Sequence, residues 1–480
     1  MTLTIIGAGP GGYETATAAA AKGIEVNIIS DGPVGGTCLN EGCIPTKSLC
    51  RNAEVIEDMR KASAFGVSFE GQTGENPEVK FDMAKAVERK DEVLAQLRGG
   101  IEFLLKNKLI HLYIGKASFV DAHTVKVTSP EGEETTVSSD YIMIATGSVS
   151  ASLPIPGNDA EGVLTSREIL SLKEVPKRLC VIGAGVIGLE FASIFRSFGS
   201  EVSVLEYCKD ILPRFDTDMA KRLKQSLGKR GIAIETSAQV QSISRNGEEL
   251  TVKYIKKDKE VEVVADKVLM AVGRRPNIAS LNLSEIGLEF TPKGIVTDAN
   301  MRTNIPHIFA IGDIRGGMML AHVATFEGER ALNTIVAEMA GENVECPMND
   351  GIDLNIVPAA VFTSPEAAVV GKTEDECKAE GIPARCLKSF FRANGKALSM
   401  DEPDGYCKIV VAGEGGQFKP GQILGCHMFG AHSADIVQEI AALMNRQATV
   451  EELRTIIHAH PTLSEVLLTA ARQASRISYI

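Results

Sequence analysis

This sequence predicts an α/β fold built from two like βαβ units, followed by a separate α+β domain. Three observations carry that expectation. A glycine-rich turn between a short apolar run and a helical stretch occurs at Gly7-Ala8-Gly9-Pro10-Gly11-Gly12 and again at Gly183-Ala184-Gly185-Val186-Ile187-Gly188. In both copies the next strand ends 23 positions after the first glycine, at Ser30 and at Glu206. From about Glu345 the texture changes, and Pro358 to Gly371, Gly405 to Val411 and Gln422 to Phe429 alternate like antiparallel strands. The duplication is the strongest sign, because one glycine motif alone is common.

The bulk properties bound the answer. At 480 residues the chain has room for about three domains. The 50 basic and 62 acidic residues leave a net charge of −12, which argues against a general nucleic-acid binder. No apolar run reaches the ~18 residues of a spanning helix, so no membrane span is expected. The chain enters its first strand at once, at Leu3 to Ile6, and leaves no room for a leader ahead of it. The expected compartment is the cytoplasm. Eight of the ten cysteines show no metal spacing and read as ordinary thiols, and no metal site is expected.

In order, Leu3 to Ile6 is a buried strand, the helix runs to about Ala21, and Ile24 to Ser30 is the second strand. Gly7 permits a tight turn, Gly9 lets backbone approach a pyrophosphate, and Gly12 lets helix and strand pack closely. The acid expected at the end of the second strand, for a ribose hydroxyl, is replaced by Ser30, with Asp31 next. Val87, Leu94, Leu97, Ile101 and Leu104 mark an amphipathic helix within Phe81 to Asn107. Strands are expected at Leu109 to Ile114, Ala117 to Val120, Thr124 to Thr128, Thr135 to Val137 and Asp140 to Ile144, the last running into Ala145-Thr146-Gly147-Ser148.

The second unit runs from Leu179 to Glu206. Here the acid is present, and no arginine follows it directly. Glu206 can bond both ribose hydroxyls and would repel a 2′-phosphate, so NAD is expected over NADP. Strands at Ala233 to Thr236, Gln239 to Ser244 and Glu249 to Lys256 complete that half. Val268 to Pro276 is read as the strand leading back to the first unit. Ile308 to Asp313 ends in an acid beside a glycine, suited to flavin ribityl or ribose hydroxyls. A helix is expected to start within Met318-Met319-Leu320-Ala321-His322, with its N-terminus toward a flavin ring. Helices at Ala434–Ala448 and after Val450 belong to the last domain.

Two features carry chemistry. Cys38 and Cys43 stand five apart in Gly35-Gly36-Thr37-Cys38-Leu39-Asn40-Glu41-Gly42-Cys43-Ile44-Pro45-Thr46-Lys47. In a regular helix their Cα atoms would be about 8–9 Å apart, beyond the ~4.4–6.8 Å of a disulfide. If they bond, the helix between them is broken. Gly42 allows that, and Pro45 suits the first turn of a new helix. Such a strained bridge can be reduced and remade. Two ordinary thiols or half a metal site are the other readings. The second feature is His458-Ala459-His460-Pro461-Thr462-Leu463-Ser464-Glu465. Glu465, expected one turn into a helix that starts near Pro461, can reach back to an imidazole. A histidine oriented by a carboxylate is a usual form of general base.

Together with Phe362-Thr363-Ser364-Pro365-Glu366, these motifs make the whole chain resemble the class I pyridine-nucleotide disulfide oxidoreductases, and within them the dihydrolipoamide dehydrogenases. The resemblance implies two Rossmann-like domains, for FAD and NAD, plus a C-terminal α+β dimerisation domain. The implied divisions are 1–148 and 274–345 for FAD, 149–273 for NAD and 346–480 for the interface. It implies a homodimer. Cys38 would be the interchange thiol and Cys43 the thiol against the flavin. Lys47 would lie near the flavin and pair with Glu190. His460, oriented by Glu465, would serve the cysteines of the other subunit. Flavin contacts are implied at Gly7, Gly9, Gly12, Asp31, Gly36, Thr37, Lys47, Gly115, Thr146, Gly147, Ser148, Asp313, Met319, Leu320, Ala321 and His322. NAD contacts are implied at Gly183, Gly185, Val186, Ile187, Gly188, Glu190, Glu206, Val240 and Gly273.

The implied reaction oxidises dihydrolipoamide and makes NADH, with a lipoyl-bearing acyltransferase or glycine-cleavage carrier as partner. Another NAD(P)H-dependent disulfide reductase of the same family is the alternative. Glutathione- and trypanothione-type reductases favour NADP, which Glu206 opposes. Mercuric reductases add a C-terminal cysteine pair, whereas this chain ends Ser475 to Ile480. Flavin transhydrogenases lack the cysteine pair, and a catalytically silent scaffold would have a broken set. Neither description fits.

Overall fold

The computed structural model describes residues 1–68 and 79–474, so the C-terminal run compared with mercuric reductases lies outside the described residues. Leu3, Ile5 and Ile6 are almost wholly buried. A strand covered on both faces reads as a continuous apolar run, as this one does. It is the middle strand of a five-stranded parallel sheet, in the order Ile308–Ala310, Tyr141–Ile144, Thr2–Ile6, Glu25–Ser30, Ile110–Ile114.

The second unit repeats the plan. Its parallel sheet runs Ile232–Thr236, Glu201–Glu206, Arg178–Ile182, Lys267–Met270, Val163–Leu164. The likeness extends to the turns. A Cβ placed at Gly12 would lie 1.9 Å from the Gly7 carbonyl oxygen, and one at Gly188 would lie 2.0 Å from that of Gly183. Only glycine lets helix and turn close this tightly. Each unit also carries a three-stranded antiparallel sheet: Lys116–Phe119, Thr124–Thr128 and Glu134–Ser138 in the first, and Gln239–Asn246, Glu249–Lys256 and Lys259–Ala265 in the second.

The C-terminal domain is an antiparallel five-stranded sheet, in the order Ala359–Val361, Ala367–Gly371, Ile423–Phe429, Tyr406–Ala412, Ala384–Phe390. Every residue of Tyr406–Ala412 and Ile423–Phe429 is buried. The helices Ser433–Asn445 and Glu465–Ala471 pack on this sheet through Ile436, Ile440, Val466 and Leu467. Lys408, 1% exposed, ties the domain to the second unit: its Nζ lies 2.8 Å from Asp216 and 2.9 Å from Glu374.

Three expectations change. The segment Val268 to Pro276 is not one strand, because the chain breaks between Lys267–Met270 and Arg274–Pro276. Pro358 to Gly371 likewise splits into two strands around Pro365. The helix expected to start within 318–322 does start there, at Ala321, and runs to Met339. Glu465 is the first residue of its helix, not one turn in, so it reaches back from the helix start.

Candidate active site

The helix Gly36–Glu41 stops at Gly42 (φ −142°, ψ −104°), and the helix Cys43–Lys61 begins at the next residue. Cys38 lies in the first helix and Cys43 opens the second. The break brings the two thiols close enough to interact, which a continuous helix would prevent. Neither is in a disulfide in this structure.

The pair is electrically uneven. A hydrogen bond from the Cys38 thiol lowers Cys43 to about 7; burial opposes this, and the Lys47 ammonium lowers it further. The same hydrogen bond, and then burial, pushes the Cys38 thiol well up. When the pair holds one proton, that proton is favoured on Cys38 and the negative charge on Cys43.

Lys47 is one turn along the same helix as Cys43. Its Nζ donates to both oxygens of Glu190, at 2.9 and 3.0 Å. Burial works against the charge of Lys47, but the Glu190 carboxylate outweighs it and holds the pKa up. Glu190 is 3% exposed, and Oε1 also accepts the Phe362 N–H at 2.9 Å. The Phe362 ring lies 4.5 Å from the lysine Nζ. Three segments of chain therefore meet at Lys47: the dithiol helix, the helix of the second glycine turn, and the start of the C-terminal domain.

These groups line one cavity of about 1450 Å³. Every residue expected at the flavin site lines it, Asp31 included. Ser30 lines it too, but its hydroxyl is taken by the Gly32 carbonyl at 2.8 Å. The cavity suits a flavin dinucleotide on two further counts. The helices Pro10–Ala21 and Ala321–Met339 open without side-chain caps, at Gly9 and Leu320, so their first N–H groups can serve a pyrophosphate and a ring carbonyl. Asp313 is fixed for hydroxyl contacts, since it accepts from Ser148 Oγ at 2.5 Å. Ser148 Oγ in turn accepts from Arg274 Nε at 2.7 Å. The turn before Asp313 is pinned by Glu327, which accepts the Gly312 N–H at 2.6 Å.

The residues expected at the nicotinamide dinucleotide are split. Val186, Ile187 and Glu190 line the cavity; Gly183, Gly185, Gly188, Glu206, Val240 and Gly273 are not part of its wall. The helix Val186–Phe198 opens at Gly185 with no side-chain cap, and a Cβ at Gly273 would meet nothing within 4 Å. Glu206 is buried, and its oxygens accept the N–H groups of Ala184 at 2.6 Å and Cys208 at 2.7 Å. Val240 packs its side chain into the core of that half, which leaves only its main chain to meet a ligand.

His460 Nδ1 lies 3.0 and 3.1 Å from the two Glu465 oxygens. The Thr462 N–H, and then His460, hold the Glu465 carboxyl below the usual range. The His460 side chain is 78% exposed, and neither residue belongs to the cavity wall of the same chain. Arg274 and Phe362 stand in stretches read above for other reasons, and the buried Glu327 stands in none; no local pattern marks these three as parts of the site. Among the described residues, no group of three or more His, Cys, Asp or Glu side chains could hold a metal ion. No described helix is long and apolar enough to cross a membrane.

Comparison with known proteins agrees with this geometry. The family model described as "Pyridine nucleotide-disulphide oxidoreductase" matches residues 1–328, and its dimerisation domain matches 357–471. A dihydrolipoyl dehydrogenase of Bacillus subtilis is 40% identical over 472 residues, covering 98% of this chain and 95% of that protein. One from Geobacillus stearothermophilus is 38% identical over 471 residues, with 98% and 95% covered. Among solved structures, LpdA of Mycobacterium tuberculosis superposes with a TM-score of 0.86 at 27% identity, covering 99% of each chain. The flavoprotein disulfide reductase RclA of Escherichia coli gives 0.84 at 28%, covering 98% of this chain and 99% of that one. The chain belongs to the pyridine nucleotide-disulphide oxidoreductases, as an oxidoreductase with FAD and NAD as cofactors and a C-terminal dimerisation domain.

Proposed function

We propose that the protein oxidises protein-bound dihydrolipoamide to lipoamide and reduces NAD+ to NADH. The observation that carries this reading is the thiol pair itself: Cys38 and Cys43 stand on either side of the helix break at Gly42, on the wall of the cavity that also holds Lys47 and Glu190. In the oxidised enzyme the two sulfurs form a disulfide. His460 of the partner subunit, oriented by Glu465, takes a proton from one substrate thiol, since only the thiolate attacks. The thiolate bonds to Cys38 Sγ, and the Cys38–Cys43 bond breaks. Its electron pair leaves on Cys43, the thiol best able to hold it. The second substrate thiol, releasing its own proton to solvent, then closes the cyclic disulfide and expels Cys38, which recovers the proton held by His460. FAD, held by the cavity wall that includes Gly9, Thr37, Ser148 and Asp313, would supply the two-electron path from Cys43 to NAD+ that restores the disulfide. The net reaction turns dihydrolipoamide and NAD+ into lipoamide, NADH and H+.

Lys47, kept charged by Glu190, holds positive charge near Cys43, and Asp313, Ser148 and Arg274 hold the ribityl side. Glu206 gives the second unit its preference for NAD. A homodimer is what allows His460 to serve, because one chain turns it outward. We place the domain divisions at 148, 273 and 345. The supporting feature is that Ile308–Ala310 returns to the first sheet after the second sheet is complete. A lipoyl-bearing acyltransferase or glycine-cleavage carrier in the cytoplasm is the fitting partner. The test is to mix the purified flavoprotein with dihydrolipoamide and NAD+ and follow NADH. No NADH, with reduction of glutathione disulfide by NADPH instead, contradicts the reading.

A further inference from the structure

The helix that carries Cys38 cannot hold itself. Gly36–Glu41 has only six residues, no side-chain cap at Gly35, and the broken backbone of Gly42 behind it. Isolated helices far longer than this are marginal. Its support comes from the helix Met83–Leu104. Arg98 Nε and Nη2 both donate to Asn40 Oδ1, at 3.2 and 2.8 Å. That fixes which end of the amide is oxygen. Asn40 Nδ2 then donates to the carbonyls of Val34 and Gly36, both at 3.0 Å, and shares a longer contact of 3.4 Å with Pro33. Both N–H groups and the oxygen of the amide are thus engaged.

The receiving loop is anchored in turn. The Gly35 N–H donates to the Ala8 carbonyl at 2.8 Å. A Cβ at Gly36 would lie 2.6 Å from Gly9 Cα, so this loop presses directly on the first glycine turn. One line of contacts therefore runs from Arg98 through Asn40 to the loop that faces the flavin pyrophosphate.

We propose that Arg98 is a positioning residue of the dithiol: through the Asn40 amide it fixes the short helix that aims Cys38 at Cys43. The proposal rests on the reading of Cys38 and Cys43 as the redox pair. Arg98 touches neither sulfur, and its effect is geometric. When the amide is released the Cys38 helix shifts, its thiol no longer points at Cys43, and the Cys43 thiolate loses its donor.

The test uses Arg98→Met, which keeps the aliphatic stem and removes both donors, and Arg98→Lys, which keeps one. Three quantities are measured on the FAD-loaded protein: the thiolate midpoint of the reduced form by ultraviolet titration, the turnover of dihydrolipoamide with NAD+, and the oxidation of NADH by ferricyanide, which bypasses the dithiol. For Arg98→Met the midpoint is expected to climb from about 7 toward the free-thiol value of ~8.5. Dithiol turnover at neutral pH then falls about fivefold, because a rise of one unit takes the thiolate fraction at pH 7 from about a half to about a tenth, while the ferricyanide rate and FAD content stay at wild type. Arg98→Lys falls between the two, and it decides the matter if Arg98→Met does not fold. A wild-type midpoint in the folded variants, or parallel loss of both activities, overturns the proposal. Absence of dihydrolipoamide turnover in the wild type would sink the functional reading alone, because the thiolate titration needs no substrate.

Discussion

The charge on Cys43 depends first on one hydrogen bond, and substitution at Cys38 can isolate it. The Cys38 thiol is the largest influence lowering Cys43 to about 7, with burial opposed and Lys47 assisting. Cys38→Ser keeps a donor in place; Cys38→Ala removes it. Both abolish dithiol turnover and leave FAD bound, so the comparison is spectroscopic. With a midpoint near 7, half of the Cys43 population is thiolate at pH 7. Without the donor the midpoint rises to the free-thiol value of ~8.5 or above, and the thiolate fraction drops to about 3%, roughly a fifteen-fold loss. Titration of thiolate absorbance, supported by the pH profile of iodoacetamide alkylation mapped to Cys43, reads this directly. The serine variant is expected to keep the low midpoint and the alanine variant to lose it. Equal midpoints in the two variants would refute the hydrogen-bond explanation.

Further outcomes follow from other contacts. His460→Ala should cut dihydrolipoamide oxidation by about 10²–10⁴-fold and spare NADH oxidation by ferricyanide; a loss below fivefold would remove His460 from the base role. Lys408→Met leaves Asp216, 1% exposed, without its cation, and breaking such a buried pair costs about 3–5 kcal/mol; thermal unfolding at wild-type temperature would contradict this. Lys378 and then Lys408 lower the Glu374 carboxyl to about 2. Its folded value lies below the unfolded ~4.3, so its stabilising contribution is full above that pH and is lost as pH falls through about 2. Calorimetry between pH 5 and 2 should show a loss of stability in the wild type that Glu374→Gln lacks.

Local rules served best where an element is periodic and bounded by turns. The strands Thr124–Thr128, Glu201–Glu206 and Glu249–Lys256 fall at their expected limits. The strand Lys259–Ala265 was not expected although its Glu260-Val261-Glu262-Val263 alternates as a strand does; it lies outermost in its small sheet. The helix Glu374–Ala379 escaped although its capping box, Thr373 with Glu376, is a readable signature. Val268 to Pro276 looked continuous because apolar content does not register a φ of +116° at Gly273. The dithiol, Lys47 and the His460–Glu465 pair were legible because each sits in one short motif. The contacts that set their geometry were not. Asn40 and Arg98 are 58 positions apart, Ser148 and Arg274 are 126, and Glu190 and the Phe362 N–H are 172. Such pairs are made by the fold, and no local spacing records them.

The central claim is that Cys38 and Cys43 together accept the two electrons of the substrate. The direct measurement is a single turnover without NAD+: oxidised, FAD-loaded protein is mixed anaerobically with one equivalent of dihydrolipoamide, quenched with an alkylating agent and mapped by mass spectrometry. Two new alkylated thiols, at Cys38 and Cys43 and nowhere else, with matching formation of lipoamide, are expected. Unchanged labelling at this pair while lipoamide forms, or new thiols elsewhere among the ten cysteines, would contradict it.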